Sequence, residues 1–340
     1  MNGWSLYFVG PGQVECRPRA IPPLGSDAVR VETQFSAISA GTEGLLYRGE
    51  APERLETDGP VETLVEDLSY PVRYGYAAVG TVVETGEEID DAWLGERVFA
   101  YNPHETTFVA EPENLLVVPE ELSVRRAPLL ANAETAVNFL LDGQPALGER
   151  VAVFGQGVVG LLTTGLLAEL PLECLVVVDR LERRRELALE FGADVALDPS
   201  SGDLPELFEQ HLSGRPDLTY ELSGNPDALD DAMSVTGYDG RVVVGSWYGT
   251  KPAELTFGGR FHRHRIDIES SQVSTIAPRH EGRWSRERRH EQAWCWLGEL
   301  PVETLITHEI PFENAPQAYA LLENEPEEAV QVLLTYQSEG

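Results

Sequence analysis

The chain reads as a two-domain α/β protein, a small β-barrel followed by a doubly wound parallel sheet. Three observations predict it. The first 125 residues hold short alternating or β-branched runs separated by dense Pro and Gly. From Arg150 onward, apolar strands alternate with helices. The 340 residues and 42% apolar content suffice for a core in each of two domains.

In the first part, Ala28 to Thr33 and Gly80 to Glu84 are the clearest strand patterns. The texture changes at Ser123. Arg125 to Leu141, rich in Ala, Leu and Glu, is predicted as a helix stopped at Asp142-Gly143. Strands follow at Arg150–Phe154, Leu175–Val178 and Asp194–Leu197, separated by helices from Val158 to about Leu170 and from Leu181 to Phe191. Arg241–Gly245 and Ile266–Ser270 continue the sheet. A helix from about Trp284 leads to Leu305–His308 and to a last strand at Val330–Leu334, expected to return to the first domain. No repeat or low-complexity tract interrupts this order.

Charge and cysteine content exclude several classes of function. With 57 acidic and 25 basic residues the net charge is -32, which makes nucleic acid and anionic membrane poor partners. Lys251 is the single lysine, and the acids are spread along the whole chain, a pattern that fits a protein adapted to high salt. No apolar run has the length of a membrane span, and the start lacks a signal-peptide pattern, so the expected location is cytoplasmic. Cys16, Cys174 and Cys295 stand alone, without CxxC spacing, and predict neither disulfides nor a cysteine zinc lobe.

The most specific motif is Gly155-Gln156-Gly157-Val158-Val159-Gly160, which follows a strand and opens a helix. Gly155 permits the tight turn, Gly157 lets the backbone approach a pyrophosphate, and Gly160 lets helix and strand pack closely. The helix N-terminus then presents free N–H groups to the phosphates. Nineteen residues past Gly160, Asp179 ends the next strand, where a carboxylate accepts from ribose hydroxyls. This favours NAD. Arg180, beside Asp179, keeps NADP as the alternative, because a guanidinium there would meet a 2′-phosphate.

The whole order resembles the medium-chain dehydrogenase/reductase superfamily. Phe35 to Glu43 looks like its G-I-C-x-T-D segment, Tyr74 to Gly80 like G-H-E-x-x-G, Gly95-Glu96-Arg97-Val98 like G-D-R-V, and Leu305 to His308 like a late I-T-H. Gly245 to Gly249, Phe261-His262-Arg263, Ser270 to Ser274 and Arg283-Trp284 look most like the branch containing the bacteriochlorophyllide a dehydrogenases. The resemblance implies a GroES-like β-barrel catalytic domain (residues 1–143, with a return over 291–340) and a Rossmann domain over 144–290. It also implies a homodimer, and cofactor contacts from Thr135, Ser223, Gly245 and Ser246 in addition to the glycine turn. Where zinc members carry a Cys, a His and a second Cys, this chain has Ala40 (or Ser39), Tyr76 and Ala131. None is a usual zinc ligand, so no metal is expected.

Without zinc, hydrogen-bond donors must stabilise the oxygen that changes charge during hydride transfer. Thr42 matches the hydroxyl that begins the family's proton relay, and Tyr76 stands where a metal ligand would. Their alternatives are a turn cap and a barrel core residue. Glu43 would orient the relay or cap a turn. His104 is a loop imidazole for acid–base work or a solvated side chain, and with Glu43, Glu105 or Glu134 it offers an unorthodox metal site. Residues 260 to 290 hold eight arginines and four of the seven histidines against four acids. They would either recognise an anionic substrate, through Arg263 and Arg283, or pair internally. The expected function is zinc-independent, NAD(P)-dependent interconversion of an alcohol and a carbonyl on a small, anionic organic substrate. An enone or quinone reductase and a non-catalytic NAD(H)-binding or sensing protein are the alternatives.

Overall fold

The computed structural model describes residues 2–55 and 67–336. In chain order, β1 (Asn2–Gly10), β2 (Gln13–Ala20), β3 (Val29–Ala37), helix α1 (Thr42–Arg48), β4 (Ala78–Thr85), β5 (Arg97–Ala100), β6 (Thr107–Ala110) and β7 (Leu115–Val117) come first. Then α2 (Leu130–Gly143), β8 (Arg150–Phe154), α3 (Val158–Ala168), β9 (Cys174–Val178), α4 (Glu182–Glu190), β10 (Val195–Leu197), α5 (Leu204–His211), β11 (Leu218–Glu221), α6 (Asp227–Val235), β12 (Arg241–Val244), β13 (Asp267–Ser270) and α7 (Arg286–Glu299) alternate. Strand β14 (Ile306–Pro311), α8 (Ala315–Asn324) and β15 (Gln331–Thr335) close the chain.

Met1–Ala131 with Leu305–Gly340 form one compact unit, and Asn132–Thr304 form the other. In the first, β1 and β2 make a hairpin, and seven strands form a sheet in the order β14-β15-β3-β4-β5-β7, with β6 also on β3. The nine-residue β3 organises this sheet, because it pairs antiparallel with β4, β6 and β15. Val29 and Val31 alternate into a core with Val82, Val98 and Phe108. A second core gathers Leu6, Phe8, Ile38, Leu46, Tyr319 and Val332, drawn from both ends of the sequence. The pairing of β15 with β3 is the predicted return of the chain.

In the second unit six parallel strands lie in the order β10-β9-β8-β11-β12-β13. Strand order reverses between β8 and β11, which leaves a crevice at their carboxyl ends, where open α/β sheets bind ligands. The near-continuous apolar strands are buried against helices, as the sequence pattern demands.

Two expectations differ from the structure. The helix placed at Arg125 begins as a 3-10 turn, Ala127–Leu129, and becomes α-helical only from Leu130, because Pro128 disfavours helical geometry in the residue before it. The units divide at 131/132 and 304/305 rather than at 143/144 and 290/291, so α2 and α7 belong to the parallel-sheet unit. The physical reason is Arg289, fully buried at the start of α7. Its five donors are all engaged, by Glu134 and Asn138 of α2 and by the Val273 and Thr275 carbonyls. Strand β11 escaped prediction, since Thr-Tyr-Glu has no apolar run.

Candidate active site

The glycine turn sits at the carboxyl end of β8. Gly155 has φ +88°, and a Cβ there would lie 2.5 Å from the Ser223 Cα, so only glycine suits both the backbone and the space. A Cβ on Gly160 would lie 2.0 Å from the Gly155 carbonyl oxygen, which binds helix closely to strand. Around Gly157 nothing stands within 4 Å of a would-be Cβ. Gly157 is also the N-cap of α3 and lends it no side chain. The turn is therefore an open cradle of backbone at a helix N-terminus, and it fits a pyrophosphate.

Of the remaining turn residues, Val158 and Val159 open the helix half-buried. Gln156 points inward, with its side chain on Val153 and Thr164, so only its backbone faces the turn. Asp179 accepts from the Gln156 and Leu181 amides at 2.7 and 2.8 Å. Those bonds fix the carboxylate at the end of β9 and leave it lone pairs for ribose hydroxyls. Arg180 is exposed beside it, and burial lowers the pKa of the neighbouring Arg184.

Across the crevice, Glu221 is fully buried at the end of β11 and had no sequence signal. It accepts from the Ser223 amide and hydroxyl and from the Tyr248 phenol. Ser246 accepts from the Gly224 amide at 2.8 Å, and Lys251 donates to the Gly224 carbonyl at 2.7 Å. Gly245 packs where a Cβ would strike Phe139. Ser223, Gly245 and Ser246 thus shape the crevice mouth, with the Ser223 hydroxyl turned away into Glu221. Thr135 lies half-buried on α2.

In the barrel unit a second polar centre forms. Tyr76 donates to the Ser39 hydroxyl and, at 3.4 Å, to Thr42. Thr42 is the first residue of α1, whose N-cap is Gly41. Burial raises the Tyr76 pKa, Glu43 adds to the rise, and the two hydroxyls offset part of it. The phenol therefore keeps its proton at neutral pH and acts as a donor. Glu43, with no solvent exposure, accepts from the Ser39 amide, His104 Nε2 and the Tyr319 phenol. His104 Nδ1 lies 2.7 Å from Ser36 Oγ, which lies 2.7 Å from the Tyr336 hydroxyl.

The alternatives for these residues narrow. His104 is wholly buried, with both ring nitrogens engaged, rather than solvated or facing a substrate directly. Ser36, Tyr319 and Tyr336 were not anticipated, because their partners lie far away in sequence. Arg263 and Arg283 are both exposed, the first in a helical turn and the second in a loop turn twenty residues on. Their neighbours pair internally: Arg265 with Asp239, Arg279 with Glu269 and Asp142.

The resemblance implies zinc ligands at three positions of this chain. Ala40 and Ala131 offer no side-chain ligand, and the Tyr76 hydroxyl is committed to Ser39. The Glu105 carboxylate turns to Arg19, Arg73 and Asn102. Among the described residues, no group of three His, Cys, Asp or Glu is placed to hold a metal.

One unit built on an antiparallel sheet and one with a parallel sheet that carries a nucleotide turn have the fold of solved alcohol dehydrogenases, and the chain has homologues among the medium-chain dehydrogenase/reductases. More particularly, residues 159–286 match the zinc-binding dehydrogenase family. The chain is similar to the D-guloside 3-dehydrogenase of Escherichia coli K12 (26% identity, covering 95% of this chain and 96% of the relative). It is similar also to the 2-desacetyl-2-hydroxyethyl bacteriochlorophyllide A dehydrogenase of Cereibacter sphaeroides (29% identity, 96% of each). Among solved structures, a short chain alcohol dehydrogenase from E. coli CFT073 complexed with NADH superposes with a TM-score of 0.80 at 23% identity, covering 98% of this chain and 99% of that one. Among the described residues no helix is long and apolar enough to cross a membrane.

Proposed function

We propose that this chain is a zinc-independent, NAD(P)-dependent oxidoreductase that interconverts an alcohol and a carbonyl. The observation that carries this reading is the hydroxyl cluster of Tyr76, Ser39 and Thr42, set where zinc members hold their metal. A bound nicotinamide dinucleotide supplies the hydride acceptor or donor. Gly155, Gly157 and Gly160 receive its pyrophosphate, and Asp179 its ribose, which favours NAD, with Arg180 as the group that would admit NADP.

On substrate binding Tyr76 turns its one O–H from Ser39 to the substrate oxygen, and the Ser39 hydroxyl donates to the phenol in its place. In carbonyl reduction the bond strengthens as negative charge grows on that oxygen, and the phenol or Thr42 delivers the proton. In alcohol oxidation the same hydroxyls receive it. Glu43, behind them and held by the Ser39 amide, His104 and Tyr319, disfavours a Tyr76 phenolate and holds the Ser39 backbone in place. An anionic group on the substrate would meet Arg263 or Arg283 singly, because the two do not form one fork. The chain's acidity fits a salt-adapted protein, the cytoplasm is its expected compartment, and the family resemblance implies a homodimer.

The test is Tyr76→Phe. NADH fluorescence titration should give an unchanged Kd, while kcat on a panel of polyols and hydroxy acids falls by roughly 10²- to 10³-fold, the usual cost of losing such a donor. Wild-type activity that disappears on metal chelation and returns with zinc would overturn the zinc-free reading. An alcohol product from a ketone, with no reduction of an enone C=C bond, separates this activity from an enone or quinone reductase. NADH binding without turnover on the panel would point to a sensing protein.

A further inference from the structure

The hydroxyl cluster accounts for Tyr76, Ser39 and Thr42, but it leaves unexplained why a histidine and a glutamate are buried together behind it. Glu43, His104 and Ser36 have no solvent exposure, and Tyr319 has 2%. Tyr336 is the one member of the set that is only half-buried. The bonds run in a line: Tyr336 hydroxyl, Ser36 Oγ, His104 Nδ1, then His104 Nε2 to Glu43 at 2.9 Å. Tyr319 and the Ser39 amide end on the same carboxylate.

A neutral imidazole is satisfied here when Nε2–H donates to Glu43 and Nδ1 accepts from Ser36, which accepts from Tyr336. An imidazolium is satisfied equally well once the Ser36 and Tyr336 hydroxyls rotate, so that Nδ1–H donates to Ser36 and Ser36 donates to Tyr336. In the first state every polar atom of the line has a partner; in the second the Tyr336 O–H turns away from Ser36, and the added charge faces Glu43. A histidine kept only for packing needs no such reversible chain.

We propose that Tyr336, Ser36 and His104 form a proton wire that links solvent to the buried Glu43 carboxylate, behind the hydroxyl cluster. For inward transfer Tyr336 gains a proton from hydronium, which leaves as water, and passes its own to Ser36, and Ser36 passes its own to His104 Nδ1. One O–H bond forms and one breaks at each oxygen, and one N–H bond forms, leaving an imidazolium opposite the carboxylate. Outward transfer is the reverse. The inference rests on the alcohol–carbonyl reading, in which each turnover releases or consumes one proton.

The other titratable groups around the dyad are fixed in their roles. Burial holds the phenols of Tyr74, Tyr76 and Tyr319 above the ordinary tyrosine range, with Glu43 adding to each. Burial pushes the Cys16 thiol up to about 11. Glu105 is held by Arg19 and Arg73.

The experiment needs no substrate. The full chain, labelled in its histidine rings, is titrated from about pH 4 to about pH 10 while the His104 Cε1–H resonance is followed, with His104→Gln used for assignment. The wire predicts a single averaged resonance that moves with pH. In Ser36→Ala and Tyr336→Phe, proton exchange should slow at least tenfold and the resonance should split into protonated and neutral forms. Ser36→Thr should restore averaging, and Tyr319→Phe, which touches Glu43 but lies off the line, should leave it unchanged. If Ser36→Ala does not fold, Tyr336→Phe decides. A His104 that keeps one protonation state throughout, averaging that survives both variants, or equal slowing in Tyr319→Phe would each overturn the wire. None of these outcomes bears on Tyr76→Phe kinetics, so the wire can fail while the proposed activity stands.

Discussion

The two polar centres of this chain are built in opposite ways. In the parallel-sheet unit, the turn from Gly155 to Gly160 works through main chain: two positions exclude any side chain, and Gly157 leaves the helix N-terminus open. In the barrel unit the polar centre is made of side chains brought together by folding. Ser36 meets Tyr336 across 300 positions of sequence, and Glu43 meets Tyr319 across 276. A main-chain site tolerates change in shape poorly but carries little buried charge. A side-chain site holds its shape through buried charge, so its stability and its chemistry fail together.

The largest effect expected from this contrast is at Glu43. Glu43→Ala leaves His104, the Tyr319 phenol and the Ser39 amide without their common acceptor. Removing one partner of a buried pair costs about 3–5 kcal/mol, to be read from urea unfolding. A loss under about 1 kcal/mol would mean that water replaces the carboxylate and that the barrel centre is not dry. At Gly157 the opposite balance holds. Gly157→Asp enters open space, so melting should move by only a few degrees, whereas a carboxylate at the pyrophosphate position should weaken NADH at least ~100-fold, about 2.7 kcal/mol. Equal NADH affinity would show that the dinucleotide does not lie on this turn.

The same contrast explains what was legible in the sequence. A glycine turn announces itself because backbone geometry demands particular residues at fixed spacing, so the turn, Asp179 and the strand–helix alternation could all be read in advance. Tyr76 and Thr42 were visible because they stand in segments with a known pattern. Ser36, Tyr319, Tyr336 and Glu221 carried no signal. Each is an ordinary polar residue whose role depends on a partner that only the fold supplies. The arginine-rich segment shows the limit from the other side. Its composition left a ligand and internal pairing equally open, and Arg289 is consumed within the protein by Glu134, Asn138 and two carbonyls.

Surface charge acts on both units alike and should give a smaller effect. At a net charge of -32, self-repulsion is relieved when added salt shortens the screening length from about 30 Å at 0.01 M to about 3 Å at 1 M. The melting temperature should rise by several degrees over that range. A midpoint that does not move would mean the acids are already neutralised by internal pairing, and the inference of salt adaptation would fall.

The smallest effect sharpens the comparison of buried and exposed pairs. Asp217, before β11, accepts from the Arg150 amide at 2.9 Å and from its guanidinium at 3.0 and 3.1 Å, but its side chain is 36% exposed. Burial opposes the charged form, yet the bonds from Arg150 outweigh it and hold the carboxyl below its ordinary value. A lowered folded-state pKa means that the stabilisation is present above the unfolded-state value and is lost as pH falls through the folded one. Solvent screening limits it to about 0.5–1 kcal/mol. Asp217→Asn should therefore lower the melting temperature by only a few degrees at pH 7, and the gap to wild type should close in acid. A gap as large as that of Glu43→Ala would show that the three donors each carboxylate gathers, rather than its exposure, set the cost.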